Sequence, residues 1–383
     1  MVLKKHMEPI LDNEFDKKLQ ELPENTGVIL RDIQPGDYVA EGDTGIDYEV
    51  NEESGDFSSY LFPDDGDYQI GTYFDTQACT NFSCAHSLEI QLNRLLAKRM
   101  FTIDEINRLT AAGFMVDGKF TRLSKRFNAI KSGTNGGQDP NRPKGNYVYK
   151  PWDSARKDGM IPESKLVYPR LQVTPPFRLE EFYDPSSITE DALNSAKVWL
   201  DIFEVKYEVV PNTIEMLKKH LKQAPLCVIT GVCKPWDGSV IAACSINTGH
   251  CTALYGYQDG ELWKDLDSYK PSNKRLAWDY GISYALKGVL YLKRLSQPVV
   301  NLPTLKHNFT VNLKQGMSGN EVKILQDALK LNGVFPTNVN STGYFGTVTL
   351  GAVIKFQQKY NIKPAAGFVG PITRAKLNEF FNT

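Results

Sequence analysis

The chain has 383 residues, enough for two or three domains at roughly 100–200 residues each. Hydrophobic residues make up 41% and charged residues 23%, which excludes a disordered chain; 44 Lys+Arg against 45 Asp+Glu excludes a nucleic-acid binder that works through a global basic field. No uninterrupted apolar run of about 18 residues occurs, so no membrane span is expected, and six cysteines are too few for a disulfide scaffold.

The N-terminus carries two lysines with no apolar stretch behind them, so no signal peptide is expected. Twelve acids and no Lys or Arg lie between Asp32 and Asp67. Such a run reads as a solvated, loop-rich lead-in, or as an acidic segment that covers a site or meets a partner. Residues 1–54 are taken as an N-terminal extension packing on the domain that follows. Apolar residues at 82, 85, 88, 92 and 95 predict a helix over 79–98. A second helix is expected over Ser187–Val205, with Ser187 and Glu190 as its capping box, and a third over Asn212–Leu221. Strands are expected at 225–232, 240–246, 251–257 and 262–266. Helices followed by strands indicate α+β.

Two prolines in the polar stretch Gln297–Pro303 mark a linker, placed at 301–310. Residues 311–383 carry eight Lys/Arg against three Asp/Glu, a local charge of +5. Within them Gly343-Tyr-Phe-Gly346 with Thr349 recurs as Gly367-Phe-Val-Gly370 with Thr373. Each copy is a glycine turn leading into a helix, with Pro371 at a first helical position. A further helix is expected before them, capped by Ser318 and Glu321 and stopped at Gly333.

Cys79 stands at the predicted start of the long helix, where the positive end of the helix dipole favours thiolate, the nucleophilic form. Cys84 is the rival, but it lies five residues into the helix. Downstream, Asp259-Gly260 between apolar strands reads as a two-residue hairpin turn. That register sets Thr252 opposite Asp267 and His250 opposite Tyr269. His250 and Asp267 then share a face as diagonal neighbours, roughly 7–8 Å apart, within reach as a base and its orienter. A register slip of two residues would hand that role to Asp265. Neither a His-x-x-x-His nor a Cys-x-x-Cys pair occurs, so no metal and no cofactor are expected.

Cys, His and Asp in this order resemble the papain-like cysteine peptidases. Cys79-Thr-Asn-Phe-Ser83 is similar to that family's Cys-x-Ala-Phe-Ser, Gly249-His250 through Gly256-Tyr257 to its His block, and Asp267-Ser268-Tyr269 to its Asn-Ser-Trp. Asp158-Gly159-Met-Ile-Pro162-Glu163 with Tyr168-Pro169 resembles a further family step. The resemblance covers about 55–300. It implies a helical lobe followed by a β lobe, with Cys79 as nucleophile, His250 as base and Asp267 as orienter. Tyr269, in place of the family's Trp, would help bind substrate. Gly145 and Asn146 would form the strand that holds extended substrate. The chain departs from the family pattern at Tyr73, where an oxyanion glutamine is expected; Gln77 is taken as the substitute, with Gln69 the other choice. The spacing of 171 residues from Cys79 to His250 exceeds the ~130–150 typical of the family, with 171–200 as the inserted excess.

Residues 311–383 resemble the peptidoglycan-binding-like three-helix domains, through Gly319, Val322, Leu325-Gln326, Gly333, the two glycine turns and Phe356-Gln357. The two resemblances together imply a cysteine peptidase acting at the bacterial wall on peptidoglycan or wall-linked peptide, such as a phage lysin or virion-associated lytic protein. An inactive papain-like body that binds the wall, and an intracellular processing protease, are the competing readings.

Overall fold

The computed structural model describes residues 28–29, 52–63, 67–169, 173–233, 237–243, 249–296, 307–335 and 341–381. Most of the acidic 32–67 segment, residues 301–306 of the expected linker and residues 244–248 before His250 lie outside them. The chain divides into two units, Met1–Arg294 and Leu295–Thr383.

The first unit is organised around helix α1, Cys79–Ala97. Of its 19 residues only Asn93, Leu96 and Ala97 are not buried. A helix buried on every side must satisfy each of its polar groups inside the protein. Asn81 Nδ2 donates to Asn128 Oδ1 at 2.7 Å. Ser83 Oγ donates to the Thr252 carbonyl at 2.6 Å. Gln91 Nε2 donates to the Gly288 carbonyl at 3.0 Å while its Oε1 accepts from the Leu290 amide at 2.9 Å. These bonds key α1 to the strands it packs on, at one longitudinal and rotational setting.

Around α1 stand α2 (Ile103–Ala111), α3 (Lys125–Ser132), α4 (Tyr149–Lys157) and α5 (Glu190–Ile202). A short hairpin, β1 (Met115–Val116) with β2 (Lys119–Phe120), lies between α2 and α3. The main sheet follows: β3 (Phe203–Val210), β4 (Leu226–Thr230), β5 (Val240–Ile241), β6 (His250–Gln258), β7 (Leu262–Leu266), β8 (Asn273–Ala277) and β9 (Tyr284–Leu292). The strand order is β3-β9-β4-β6-β7-β8-β5, antiparallel except for β5 with β8. One core sets Cys84, Leu88 and Leu92 of α1 together with Trp152, Trp199, Cys227, Cys251 and Leu290. A second core gathers Leu217 and Leu221 of helix α6 (Ile214–Leu221) with Val228, Leu254, Trp263 and Leu276. The class is α+β, with the helices first and the sheet second.

Two expected boundaries move. Helix α5 starts after Thr189, whose side chain accepts from the Ala192 amide, so the cap is not Ser187. The chain then turns at Ile202 into β3, because Phe203–Val210, rich in β-branched residues, pairs in full with β9. The hairpin is also corrected. Gln258 pairs with Leu262, so three residues form the turn, not two. A bulge at Tyr255 absorbs the extra residue, and Ala253 still faces Leu266. The pairing stops there, and His250 lies opposite Thr230 of β4 rather than Tyr269.

The second unit holds three helices, α7 (Asn320–Leu331), α8 (Thr347–Lys359) and α9 (Pro371–Phe381). The residue before α7 is Gly319, without a side-chain cap, so the Ser318 box is not formed. The sequence repeat is a repeat of hydrogen bonds. Gln326 Nε2 donates to the Tyr344 carbonyl and Thr349 Oγ1 at 2.9 and 2.8 Å, and its Oε1 accepts from the Gly343 amide at 2.9 Å. Gln357 does the same with Phe368, Thr373 and Gly367, at 2.7, 3.0 and 2.8 Å. Each buried glutamine thus pins the glycine turn of its copy. Phe309, Leu325, Phe345, Val353, Phe356 and Leu377 form a core of this unit's own.

One glycine is required by contact. A Cβ on Gly288 would lie 2.1 to 2.3 Å from ring atoms of the buried Trp152. Gly288→Ala is expected to destabilise the protein by about 1–3 kcal/mol through overpacking, measured by urea denaturation; an unchanged midpoint would show that Trp152 yields freely.

Candidate active site

Cys79 is the first residue of α1, and Ala78 before it supplies no side-chain cap. Burial pushes the Cys79 thiol well above the ordinary range; the amides of Cys251 and Thr80 reach the sulfur and oppose this, while the charges of Asp75 and Asp267 reinforce it. The helix end therefore does not make a standing thiolate, contrary to the expectation from the dipole alone. Cys84 is pushed up as well, by burial and then by Cys227, with no amide acting against it. Cys79, Cys84, Cys227 and Cys251 are free and buried, and Cys233 is disulfide-bonded.

His250 opens β6, next to the Cys251 amide that reaches the Cys79 sulfur. Its Nε2 lies 2.7 Å from Asp267 Oδ1. Its Nδ1 is buried without a hydrogen-bond partner among the described residues. The ring of Tyr269 stacks on the imidazole, centroids 4.7 Å apart and planes at 26°. The Tyr269 amide donates to Asp267 Oδ1 at 2.9 Å, and Lys274 Nζ donates to Asp267 Oδ2 at 2.5 Å. Burial acts to raise the Asp267 carboxyl, but Lys274 and His250 outweigh it and hold the group well below the usual carboxylate range. Asp265, the alternative orienter, makes no hydrogen bond to His250 among the described residues. Among the described residues its Oδ1 has no hydrogen-bond partner, and burial, then the charge of Asp267, pushes the carboxyl up to about 7.

A second network locks the approach to α1 against the turn after β7. Gln69 Nε2 donates to Asp75 Oδ1 at 2.8 Å and to the Tyr269 hydroxyl at 2.9 Å, and its Oε1 accepts from Ser268 Oγ at 2.7 Å. The Tyr269 hydroxyl in turn donates to Asp75 Oδ2 at 2.8 Å. Asp75, like Lys274, is a site residue that the sequence did not reveal. It is buried, which raises its carboxyl, while the Gln77 amide, the Tyr269 hydroxyl, Gln69 and His250 act to lower it. Its only signal in sequence was an acid four residues before Cys79. Gln69 is committed to this network. Tyr73 sends its hydroxyl to the Val173 carbonyl at 3.1 Å. Gln77 sits in the left-handed region at φ 56°, buried, with its amide on Asp75 at 2.8 Å and its side-chain Oε1 without a hydrogen-bond partner among the described residues.

Gly145 pairs with Asn135 through both main-chain bonds, 3.1 and 2.7 Å. Asn146 is already occupied. Val28 pairs with it as a parallel bridge, and the Ile29 amide donates to the Asn146 carbonyl at 2.7 Å. Val28 is buried. Cys79 at 0% and His250 at 1% exposure are closed to solvent in this arrangement.

Asp67, His86 and Glu89 bring ligand-type atoms within 4.8 Å of one another. Lys125 Nζ already pairs with both carboxylates, at 2.5 Å from Glu89 Oε1, and Arg122 Nη1 reaches the same two at 3.4 and 3.3 Å. A cation would have to displace an ammonium, so the cluster is an internally neutralised ion network. No described helix is long and apolar enough to cross a membrane.

Residues 318–377 match the family described as "Putative peptidoglycan binding domain". The chain is 47% identical over 66 residues to an uncharacterized protein in the bpoA1 3' region of Kitasatospora aureofaciens, a match covering 17% of this chain and 54% of that protein. The chain thus spans about half the length of the curated relative it matches. Among solved structures it is similar to xylellain, a cysteine protease from Xylella fastidiosa, at TM-score 0.45 and 13% identity, covering 76% of this chain and 98% of that one. It is similar to proCathepsin B S9 from Trypanosoma congolense at TM-score 0.44 and 14% identity, covering 74% and 99%. It is also similar to the SleB N-terminal domain at TM-score 0.17 and 33% identity, covering 19% and 93%.

The elevated Asp265 has a consequence for stability. Its folded value near 7 lies above the ordinary carboxylate value of ~3.9, so the folded state holds the extra proton and loses stability as pH rises from about 4 to 7. Asp265→Asn removes that loss. It should stabilise the protein at pH 8 and have little effect at pH 4, read as urea midpoints at both pH values. An equal effect at both would contradict the buried-carboxyl account.

Proposed function

We propose that the chain is a papain-like cysteine peptidase directed to the bacterial cell wall, in the setting of a phage lysin or virion-associated lytic protein. The observation that carries the chemistry is the histidine: Nε2 held at 2.7 Å by Asp267, Nδ1 buried without a partner, and the neighbouring Cys251 amide on the Cys79 sulfur. An imidazole so held has one nitrogen left to take a proton. Because the buried thiol resists ionising alone, Cys79 becomes nucleophilic by passing its proton to His250 as the sulfur attacks. The sulfur bonds to the amide carbonyl carbon, and His250 returns the proton to the nitrogen as the C–N bond breaks. Water, activated by the same imidazole, then hydrolyses the thioester. The uncapped start of α1 and the amide of Cys79 supply the donors for the oxyanion; Gln77 is the side chain proposed to join them.

The wall partner is supported by the match over 318–377 and by the character of the second unit. Tyr344 and Val348 are exposed in the first copy of its repeat, and Phe368 and Ile372 hold the same places, exposed, in the second. Duplicated apolar positions on a module of charge +5 suit a repetitive, anionic polymer. The disulfide at Cys233 is compatible with work in an oxidising space.

A silent wall-binding protein is the competing reading, favoured by the closed Cys79. We attribute the closure to the N-terminal segment, whose Val28 and Ile29 occupy Asn146, the strand proposed for substrate.

Three outcomes are expected. Purified sacculi should gain new primary amines with the native chain and none with Cys79→Ala or His250→Ala; equal release by Cys79→Ala would remove the proposal. A chain lacking residues 1–30 should raise the rate of iodoacetamide alkylation at Cys79 by tenfold or more, on the order of one local-opening step of about 1.4 kcal/mol, and an unchanged rate would clear this segment of any covering role. Residues 307–383 should fold alone and sediment with sacculi, while residues 1–296 should remain in the supernatant; the reverse distribution would place wall binding elsewhere.

A further inference from the structure

Asp267 shares its two oxygens between two kinds of partner. Oδ1 takes His250 at 2.7 Å and the Tyr269 amide at 2.9 Å. Oδ2 takes the ammonium of Lys274 at 2.5 Å. Lys274 lies on β8, opposite Asp265 of β7 in the antiparallel register, and is 5% exposed. Its stem therefore runs inside the protein toward the turn where Asp267 sits, and that turn is tied by the Asp267 amide to the Ser272 carbonyl at 2.8 Å.

A buried carboxylate beside an imidazole would ordinarily hold the imidazolium strongly. Here a full positive charge sits on its other oxygen. Seen from His250, the Asp267–Lys274 pair offers an oxygen to accept a hydrogen bond but no net charge, which is the electrostatic character of a carboxamide. The other groups facing this centre come from three more elements. Asp75 and Cys79 approach from the start of α1, Tyr269 from the turn, and Asp265 from β7; Tyr280 feels the Asp265 and Asp267 charges from beyond β8. Among the described residues it is Asp267 that is both hydrogen-bonded to the ring and paired to a cation.

We propose that Lys274 is a positioning residue of this site: it fixes the plane of the Asp267 carboxylate and cancels its charge, so that His250 is oriented by a neutral pair. The inference rests on the reading of Cys79 and His250 as the working couple. It also changes what Asp267→Asn should do. Alone, that substitution strands the ammonium of Lys274 in a buried place next to the imidazole; paired with Lys274→Met it removes both charges together.

The test is the titration midpoint of the His250 ring, followed by NMR in the full-length native chain, in Lys274→Met, in Asp267→Asn and in the double variant. Lys274→Met should move the midpoint up by about one pH unit or more, Asp267→Asn should move it down by a similar amount, and the double variant should return close to the native value. The acid limb of sacculus hydrolysis, where the His250 base becomes protonated, should follow the same order. A midpoint in Lys274→Met equal to the native one, or a double variant that stays with Asp267→Asn, would overturn the proposal. Should Lys274→Met fail to fold, the native, Asp267→Asn and double variants still decide it by whether the second substitution restores the midpoint. If the order of midpoints holds in a chain that releases no amines, the charge-cancelling pair stands and the peptidase reading alone is lost.

Discussion

The structure of the first unit depends on one constraint, a 19-residue helix with almost no exposed face. Such a helix can carry polar side chains only where the surroundings answer them one by one. Asn81, Ser83, Ser87, Glu89, Gln91 and Arg94 are all buried, and each meets a partner on a neighbouring helix, strand or loop. An apolar helix of the same size could slide or rotate by a residue at small cost. This one cannot, because each shift would strand several buried donors at about 1–3 kcal/mol apiece. The position of Cys79 at its first turn follows from bonds made as far along as Gln91.

The sheet meets that helix end with the opposite device. β6 delivers His250 at its first residue, and the chain returns through β7 to a turn in which Asp267, Ser268 and Tyr269 each hold something. Asp267 holds the imidazole, Ser268 holds Gln69, and Tyr269 covers the ring and reaches Asp75. Asp75 and Gln69 belong to the segment entering α1, so the two halves of the site are joined by short polar bonds as well as by the core. Among the described residues the centre gathers the carboxylates of Asp75, Asp265 and Asp267 and the ammonium of Lys274. Its charge balance, more than the helix dipole, decides where protons sit.

The long helix, the strands bearing His250 and Asp267, and the three C-terminal helices were legible because period, glycine turns and caps are local signals. So was the meeting of His250 with Asp267, although the reason differed: a three-residue turn and a bulge at Tyr255 cancel, which no pattern of Asp-Gly could reveal. The strand Phe203–Val210 was hidden because its apolar residues run on from a helix without a breaker. Asp75 and Lys274 were illegible for a plainer reason. An isolated acid and an isolated lysine look like surface residues, and only tertiary placement buries them beside the imidazole. The pairing of Val28 and Ile29 with Asn146 is likewise a contact between distant stretches of chain that residue types do not encode.

The central claim is that Cys79 is the nucleophile and His250 its proton partner. The most direct measurement mixes the full chain with stem peptides released from sacculi, quenches with acid within the turnover time, and reads the mass of the cysteine-containing fragments. The account predicts a thioester-linked acyl group on the fragment bearing Cys79, absent in Cys79→Ala and in His250→Ala. A covalent acyl group on Cys84, or hydrolysis of the peptides that proceeds with no protein adduct and survives Cys79→Ala, would contradict it.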